Sequence, residues 1–217
     1  MGISKNAVKA KVREAFVMEH YRKTAEILIP VTISNRHIHL NEEAVNMLFG
    51  PGYQLTKRNE VFQPGQYACQ ETVTLNGPKG ALRNVRVLGP LRSEPQVEVS
   101  VTDCFTLGIP PVIRLSGDVA DTPGLLIEGP CGSLSMETGA IVASRHVHMS
   151  PKQAQAFGLK HGDMLELASD GVRPVAFRDM VVRVHENFEL EAHLDTDEAN
   201  AACLHNDMLM RAKPDRR

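Results

Sequence analysis

The stretch SNRHIHL, residues 34–40, recurs in a related form as ASRHVHM, residues 143–149. The arginines of the two words, Arg36 and Arg145, are 109 residues apart. On an extended strand, side chains alternate between two faces, so His-x-His places both imidazoles on one face, roughly 7 Å apart at Cα. The apolar residues that alternate with the histidines are typical of a half-buried strand. The two words therefore predict an internal duplication that contains a metal site.

A short helix is predicted directly after each word. Asn41 is a favourable N-cap for a helix from about Asn41 to Leu48, which ends near Gly50. Ser150 caps a second helix over 151–157, with proline at its first position, glutamine where a capping box requires it, and glycine after its end. The predicted repeat unit is a strand, a short helix and then further strands.

Length and composition indicate an ordinary globular protein. The 217 residues suit two domains of about 100 residues each. The 24 basic and 26 acidic residues give a net charge of -2, which argues against nucleic acid as the main partner. No apolar run approaches the ~20 residues of a membrane-spanning helix, and no secretory signal is visible. The four cysteines form no Cys-x-x-Cys pair, so we expect reduced thiols in the cytoplasm.

The N-terminal segment, residues 1–21, is predicted to form an amphipathic helix, with the helix itself over Lys5–Tyr21. Val8, Val12 and Phe16 belong to its apolar stripe, together with Ala15. This helix is expected to pack on the first domain or on a partner subunit. The alternative is a detachable targeting helix.

The remaining chain is predicted to consist mainly of short strands. Residues 68–75 and 81–88 are predicted to form a hairpin, and residues 174–184 and 188–194 a second strand pair. Single strands are predicted at 96–102, 164–168 and 207–211. Residues 107–139 are predicted to form loops with short strands, and residues 197–203 a short helix. Many short strands favour small barrels or sandwiches over a doubly wound sheet. No Gly-x-Gly-x-x-Gly or Walker loop is present.

Each pair of histidines needs a further ligand, because zinc takes four ligands, or three with an open position. Glu98 is the polar member of an apolar strand, where an inward carboxylate is costly unless it is paired. His193 lies on a second alternating strand. The alternative for Glu98 is a surface carboxylate on an edge strand, and the alternative for His193 is a solvent-facing imidazole.

Two other residues resemble site residues. Arg92 lies between Pro90 and Pro95, and a fixed guanidinium near a metal suits an oxyanion or a phosphate. On the residues alone, however, a plain surface arginine is favoured. Cys131 is flanked by Gly129 and Gly132, but no neighbouring base is visible, so it is a weak candidate for a ligand or nucleophile.

The two words, the GPLRS stretch at residues 89–93 and the strands with Glu98 and His193 occur in an order that resembles the PduL-type phosphotransacylases, also called phosphate propanoyltransferases. The resemblance covers about residues 29–211. It implies a mainly β protein with short helices and two small similar β-barrels, with the active site at their junction. One barrel would comprise residues 36–143, and the other residues 22–35 with 144–213.

The resemblance also implies the residues of the site. It makes Arg92 the catalytic phosphate-binding residue, and the ligands of two zinc ions His37, His39, Glu98, His146, His148 and His193. Less firmly, it assigns coenzyme A to Ile33, Ser34, Asn35, Lys79, Arg86 and Asn200. Each position assigned to zinc or phosphate holds the expected residue type.

The implied reaction is the reversible conversion of a short-chain acyl-CoA and inorganic phosphate to acyl phosphate and coenzyme A. Phosphate would attack the acyl carbon directly, without an acyl-enzyme. The alternatives are a dinuclear zinc hydrolase and a non-catalytic zinc-stabilised barrel. The choice between acetyl and propanoyl groups stays open, as does a homodimer. The resemblance also implies a possible location inside a bacterial microcompartment, with the N-terminal helix as the encapsulation signal. Deletion of residues 1–20 would then abolish loading of the enzyme into the compartment and leave its activity intact.

Overall fold

A computed structural model describes residues 5–215, which form two compact units. The barrel unit comprises residues 5–34, 62–64 and 145–215, and the sheet unit comprises residues 35–61 and 65–144. In chain order, the elements are α1 Lys5–Thr24, β1 Ile27–Ser34, β2 His37–His39, α2 Glu42–Phe49, β3 Lys57–Glu60, β4 Tyr67–Asn76, β5 Ala81–Gly89, β6 Gln96–Glu98, α3 Val101–Leu107, β7 Ile113–Arg114, β8 Leu125–Glu128, β9 Ser133–Met136, β10 Ala140–Ala143, β11 His146–Met149, α4 Pro151–Phe157, β12 Met164–Ala168, β13 Ala176–Val184, β14 Glu191–Asp195, α5 Thr196–Ala201 and β15 Leu209–Pro214.

The barrel unit is a closed six-stranded barrel with the order β1, β14, β11, β13, β12 and β15, and β15 pairs with β1. Strand β1 pairs in parallel with β14, so a segment from before the first word completes the barrel of the second word. Alternating residues fill the interior, and the fully buried ones include Ile29, Val31, Val147, Met149, Leu165, Leu167, Met180 and Val182. Closure leaves the six strands without an unpaired edge.

The sheet unit is a nine-stranded sheet with the order β7, β10, β6, β2, β5, β4, β8 and β9, and β3 pairs with β4. Its core is built from buried aliphatic side chains, among them Ile38, Leu40, Leu48, Leu75, Val87, Val97, Leu107 and Ile127. The predicted mainly β fold with short helices and two barrel-like units is confirmed. Only the barrel unit closes through strand pairing.

The helices after the two words begin where the capping residues predict. The Asn41 side chain accepts a hydrogen bond from the Ala44 amide at 2.9 Å, and α2 begins at Glu42. Ser150 and Gln153 form a reciprocal capping box, and Gly158 ends α4 in the left-handed conformation, with φ 68°. The similar local sequences therefore produce the same strand-to-helix connection in both units.

One predicted strand is partly wrong. The expected strand 96–102 ends at Glu98, and α3 begins at Val101. The Ser100 side chain accepts a hydrogen bond from the Asp103 amide, and the Asp103 carboxylate accepts one from the Ser100 amide. This capping box outweighs the strand preference of Val101 and Thr102.

The predicted pairing of 174–184 with 188–194 is also wrong. Strand β13 pairs in parallel with β11, and β14 pairs antiparallel with the same strand. The two segments therefore flank β11 instead of forming a hairpin, because the buried β11 offers a hydrogen-bonding edge on each side. This arrangement places β14 beside the second pair of histidines.

Helix α1 confirms the predicted N-terminal helix from Lys5 and extends it to Thr24, whereas residues 1–4 lie outside the described residues. The face that it buries differs from the predicted one. Ala10 and Val17 are buried, whereas Val8, Val12 and Phe16 are 49, 64 and 54% exposed. Ala15 is exposed as well. Within residues 5–215, no helix has both the length and the apolar character needed to cross a bilayer.

Candidate metal centres

In the sheet unit, the first pair of histidines lies on β2, between a parallel neighbour, β5, and an antiparallel one, β6. The register places His37 opposite Glu98 and His39 opposite Gln96. His37 Nε2 lies 3.6 Å from Glu98 Oε2. The potential ligand atoms of His37, His39 and Glu98 all lie within 4.8 Å of one another. These three side chains therefore form a three-ligand group.

In the barrel unit, the second pair lies on β11, with His146 opposite His193 and His148 opposite Glu191. The imidazole centroid of His193 lies 4.7 Å from that of His146 and 4.7 Å from that of His148. The ligand atoms of the three histidines lie within 4.8 Å of one another. Phe188 stacks on His148 with 3.9 Å between ring centroids, which gives this group an apolar wall.

The two groups share one backbone plan. In each unit, the strand with the His pair has a parallel neighbour on one side and the strand of the third ligand, antiparallel, on the other. In each unit, the first histidine faces the third ligand across the ladder. The duplication predicted from the two words thus extends to the residues that complete each group.

The donor atoms suit a metal ion. Three buried imidazole nitrogens have no hydrogen-bond partner within the described structure: His39 Nδ1, and His148 Nδ1 and Nε2. Such atoms are costly in a folded interior unless something binds them. His37 Nδ1 lies 2.8 Å from the Asn35 carbonyl, to which it donates as N–H. That contact directs the Nε2 lone pair of His37 towards Glu98, as for a metal-ligating histidine.

The local electrostatics also suit a metal. Burial, together with the charges of His37 and Arg92, lowers the pKa of His39 to about 3. Burial and the neighbouring His193 and His146 lower the pKa of His148. Neutral imidazoles at neutral pH are the form that binds a metal.

Glu98 is the carboxylate member of the sheet-unit group. Burial alone would raise its pKa, but the charges of His37 and His39, a hydrogen bond from Ser116 and the charge of Arg92 together lower it to about 2. The carboxylate is therefore ionised at neutral pH and can act as an oxygen ligand. The donor sets, two nitrogens with one oxygen and three nitrogens, are those of zinc sites with an open position.

Arg92 is part of the same network and is not the plain surface arginine favoured by its residue type. Its amide donates to the Leu40 carbonyl at 2.9 Å, and its guanidinium donates to Ser116 Oγ at 3.1 Å. The Gln96 amide nitrogen lies 3.0 Å from the same Oγ and 2.7 Å from Glu98 Oε1. One chain of polar contacts therefore joins Arg92 to Glu98.

Sequence reasoning missed Gln96 and Ser116. Gln96 has a signal, since it lies two residues before Glu98 and therefore shares its strand face. The Gln96 side chain also accepts a hydrogen bond from the Gly117 amide at 2.8 Å. Ser116 lies in a loop 20 residues from Gln96, and no spacing rule connects the two.

Glu191 was missed as well. It is 1% exposed and shares the strand face of His193, whose Nε2 lies 3.0 Å from Glu191 Oε1. Gln63 Nε2 lies 3.4 Å from the same oxygen, and a guanidinium nitrogen of Arg13 lies 3.8 Å from the other. Burial lowers the pKa of the Arg13 guanidinium, and the Glu191 charge opposes that shift. Helix α1 thus reaches the surroundings of a ligand histidine.

The coenzyme A candidates are divided between the units. In the barrel unit, Ile33 and Ser34 end β1, the Ile33 amide donates to Asn206 Oδ1 at 2.8 Å, and Asn200 is exposed on α5. In the sheet unit, Asn35 is exposed directly before the first word.

Two further candidates are cationic and belong to the hairpin of the sheet unit. Lys79 is exposed in the turn between β4 and β5. Arg86 lies on β5, and its guanidinium donates to the Gln70 and Cys69 carbonyls at 2.7 and 3.1 Å. These contacts hold Arg86 against β4. Cys131 is exposed with its thiol 3.3 Å from the Phe49 carbonyl, and it belongs to neither ligand group.

Comparison with known proteins identifies the family. The phosphate propanoyltransferase family model matches residues 30–205. The chain belongs to the phosphate propanoyltransferase family. It is 52% identical over 200 residues to the phosphate propanoyltransferase of Thermotoga maritima, covering 92% of this chain and 93% of that protein. The chain is 51% identical over 183 residues to the phosphate propanoyltransferase of Rhodopseudomonas palustris, covering 84% of this chain and 81% of that protein. That of Salmonella typhimurium is 50% identical over 175 residues, covering 80 and 83%.

Membership confirms the family predicted from the words and makes the chain an enzyme of the acyltransferase class. The match covers both words and both third ligands, so every member of the two ligand groups lies in the part shared with the phosphate propanoyltransferase family.

Proposed function

We propose that this chain is a zinc-dependent phosphate acyltransferase that reversibly converts propanoyl-CoA, or acetyl-CoA, and inorganic phosphate to acyl phosphate and coenzyme A. The observation that carries the proposal is the matched register of two three-ligand groups, one of which is connected to Arg92. A stability site needs a closed ligand set, whereas three ligands leave a position for a reactant.

The ligands of one zinc ion are His37, His39 and Glu98, and those of a second are His146, His148 and His193. Zinc bound there supplies positive charge that polarises a carbonyl oxygen and neutralises anionic reactants. That one reaction uses both ions stays a prediction of the resemblance.

Arg92 binds the phosphate. Its guanidinium has N–H donors in a planar fork, a geometry that matches phosphate oxygens, and one of its nitrogens donates to Ser116 Oγ. The backbone contact with Leu40 and the contact with Ser116 hold it in place, so binding phosphate costs little additional side-chain order.

The transfer itself needs no nucleophile from the chain. An oxygen of hydrogen phosphate forms a bond to the thioester carbon, the carbon–sulfur bond breaks, coenzyme A leaves as the thiolate, and the phosphate proton passes to that thiolate or to solvent. The protein orients two anionic reactants that repel each other in water, and holding them together can contribute roughly 7–11 kcal/mol. The coenzyme A residues are proposed to be Ile33, Ser34, Asn35, Lys79, Arg86 and Asn200, with the two cations suited to the nucleotide phosphates.

The experiment that tests the function combines metal analysis with product analysis. We expect about two zinc ions per chain, phosphate-dependent release of free thiol from propanoyl-CoA, and acyl phosphate as the product. Chelation should abolish thiol release, and added zinc should restore it. Free acid as the product would instead support a dinuclear hydrolase, and two bound zinc ions without turnover would support a structural barrel protein.

Substrate preference is tested with acetyl-CoA and propanoyl-CoA in the same assay. We propose propanoyl-CoA as the preferred substrate because the relatives carry that activity in their names. One methylene is worth only ~1–3 kcal/mol in a pocket, so we expect a ratio of kcat/KM between about 10 and 200. A ratio that favours acetyl-CoA would overturn this preference.

We also propose that the exposed row of Val8, Val12 and Phe16 on α1 faces a partner, either a second subunit or a component of a bacterial microcompartment around a cytoplasmic enzyme. Deletion of residues 1–20 is a poor test because it also removes the buried Val17. A variant with serine at the three exposed positions should lose association and keep activity. Unchanged size in solution and unchanged loading would contradict this proposal.

A further inference from the structure

The arginine that opens each word has a carboxylate partner in the same unit. In the sheet unit, the Arg36 guanidinium contacts both carboxylate oxygens of Asp103, with Nε to Oδ2 at 3.0 Å and NH2 to Oδ1 at 2.7 Å. The Asp103 side chain is 3% exposed. Two parallel N–H···O contacts of this kind fix both distance and orientation. Arg36 is therefore held in a defined position directly before the strand of His37.

The barrel unit contains a corresponding pair. Arg145, the opening arginine of the second word, lies 3.4 Å from Glu198 through NH1 and Oε1. Its ion pair is longer than that of Arg36, and its acid is more exposed, with 24% of the Glu198 side chain exposed against 3% of Asp103. The same residue of the repeated word thus forms the same kind of contact in both units.

The acidic partners occupy equivalent positions. In each unit, the third ligand is followed two residues later by a helix N-cap and five residues later by the acid: Glu98, Ser100 and Asp103 in the sheet unit, and His193, Asp195 and Glu198 in the barrel unit. Each acid also accepts a hydrogen bond from the amide of its N-cap, at 3.2 Å for Asp103 and 3.0 Å for Glu198. The acid is therefore fixed to the end of the strand that carries the third ligand.

These contacts connect the strand of the His pair to the strand of the third ligand, beside each ligand group. The arginine precedes the first histidine of the group by one residue, and the acid belongs to the helix that leaves the third-ligand strand. The first histidine and the third ligand face each other across the ladder between these strands. An ion pair beside the facing residues opposes sliding or separation of the two strands at that point.

We propose that Arg36 and Arg145 are positioning residues, each of which holds the first histidine and the third ligand of its own metal centre in register through Asp103 or Glu198. This inference rests on the proposed zinc ligands. Neither arginine belongs to the ligand groups, so each acts through the strands and not by touching the metal. The shorter, bidentate pair of Arg36 predicts a larger effect in the sheet unit than in the barrel unit.

The test measures zinc affinity one centre at a time. In a His146→Ala background, the zinc that remains reports on the sheet unit, and Arg36→Ala should weaken its binding at least tenfold in competition with a chelating dye. Arg36→Lys keeps the charge but loses the bidentate contact, so it should give an intermediate loss. In a His37→Ala background, Arg145→Ala should weaken the barrel-unit zinc by a smaller factor.

The matched control is Arg114→Ala. Arg114 also belongs to the sheet unit and forms an ion pair, with Asp118 at 3.6 Å, but that pair does not link the ligand strands. The control should leave zinc affinity within twofold of the parent. A merely structural role for Arg36 would lower the melting temperature of the metal-free protein and leave zinc affinity unchanged, and that result would overturn the inference.

Failure of the inference and failure of the proposed function are distinguishable. If His37→Ala and His146→Ala each remove one zinc ion but Arg36→Ala and Arg36→Lys bind zinc like their parent, the positioning role of the arginines is wrong and the proposed zinc ligands are still supported. If the unaltered protein binds no zinc, or if the histidine variants retain both ions, the proposed ligands are wrong. If Arg36→Ala does not fold, Arg36→Lys decides, because parental zinc affinity in that variant contradicts the inference.

Discussion

The two proposed metal centres share their backbone geometry but place their acidic group differently. In the sheet unit, the third ligand is the carboxylate of Glu98, and the neutral amide of Gln96 lies behind it at 2.7 Å. In the barrel unit, the third ligand is the imidazole of His193, and the carboxylate of Glu191 lies behind it at 3.0 Å. Gln96 and Glu191 occupy the same register position, each opposite the second histidine of its pair.

Each proposed centre therefore has one carboxylate, either as the third ligand itself or as the residue that contacts the third ligand. The register of the strands preserves the geometry, while the charge of the ligand set differs. The net charge of a zinc ion with three neutral imidazole ligands is one unit more positive than that of a zinc ion with two imidazoles and a carboxylate. A carboxylate behind a ligating histidine orients the ring and raises its basicity. The comparison predicts that the two centres tolerate different substitutions.

The largest expected effect is the loss of a whole centre. His37→Ala should remove the zinc of the sheet unit, and His146→Ala that of the barrel unit, because two remaining ligands hold zinc poorly. Each should lower kcat/KM on the order of 10²- to 10³-fold, equivalent to ~2.7–4 kcal/mol of lost transition-state stabilisation. Metal analysis and thiol release measure both effects. Full activity with one zinc ion would show that only the other centre takes part in the reaction.

The next effect concerns the cation beside each centre. In the sheet unit, the charge of Arg92 lowers the pKa of His39 and of Glu98. In the barrel unit, the charge of Arg183 lowers the pKa of His148. Arg92→Ala should raise the KM for phosphate and cost about 2–4 kcal/mol in the transition state, because it removes a fixed charged donor. Arg92→Lys should recover part of that loss.

Arg183→Ala is the matched variant in the other centre, and we expect a smaller loss that does not depend on phosphate. Normal phosphate dependence in Arg92→Ala would rule out Arg92 as the phosphate-binding residue. A larger phosphate effect for Arg183→Ala would move that role to the barrel unit.

Exchanging the groups behind the third ligands tests the comparison directly. Glu191→Gln keeps the shape and removes the charge, and it should weaken zinc binding in the barrel unit about 10- to 100-fold. Gln96→Glu places a second carboxylate against Glu98, and repulsion should weaken that centre as well. Zinc dissociation constants, measured with a chelating dye, separate the effects. Equal affinity in Glu191→Gln and the parent would mean that this carboxylate does not support His193.

Sequence reasoning predicted the parts of these centres that follow from local periodicity. His-x-His flanked by aliphatic residues specifies a strand with one polar face, and Glu98 and His193 were visible as polar members of alternating strands. The caps at Asn41 and Ser150 predicted the two helices after the words for the same local reason.

The remaining features depend on contacts between distant segments. The positions of Gln96 and Glu191 opposite the second histidines follow from strand register, which no single segment specifies. The acids that pair with Arg36 and Arg145 belong to capping boxes, and the N-cap of the first box, Ser100, lies inside the predicted strand 96–102. The burial of Glu191 requires Arg13 and Gln63, from a helix and a loop far away in sequence.

The smallest expected effect concerns the helix caps that follow the third ligands. Ser100→Ala and Asp195→Ala each remove the side chain that accepts a hydrogen bond from the third residue of α3 or α5, at 3.3 and 2.8 Å. Loss of a cap of this kind costs about 0.5–2 kcal/mol of folding free energy. Urea unfolding of the metal-free protein should show decreases in this range for both variants.

The two caps should differ in their effect on zinc. The acid next to Ser100 is held by two contacts from Arg36, whereas the acid next to Asp195 has one longer contact with Arg145. Asp103 should therefore keep its place when Ser100 is replaced, and Ser100→Ala should lose stability with little change in zinc affinity. Glu198 is less constrained, so Asp195→Ala should weaken the zinc of the barrel unit by a factor that Ser100→Ala does not reach in the sheet unit. The reverse order would mean that the cap, and not the arginine, fixes the third-ligand strand.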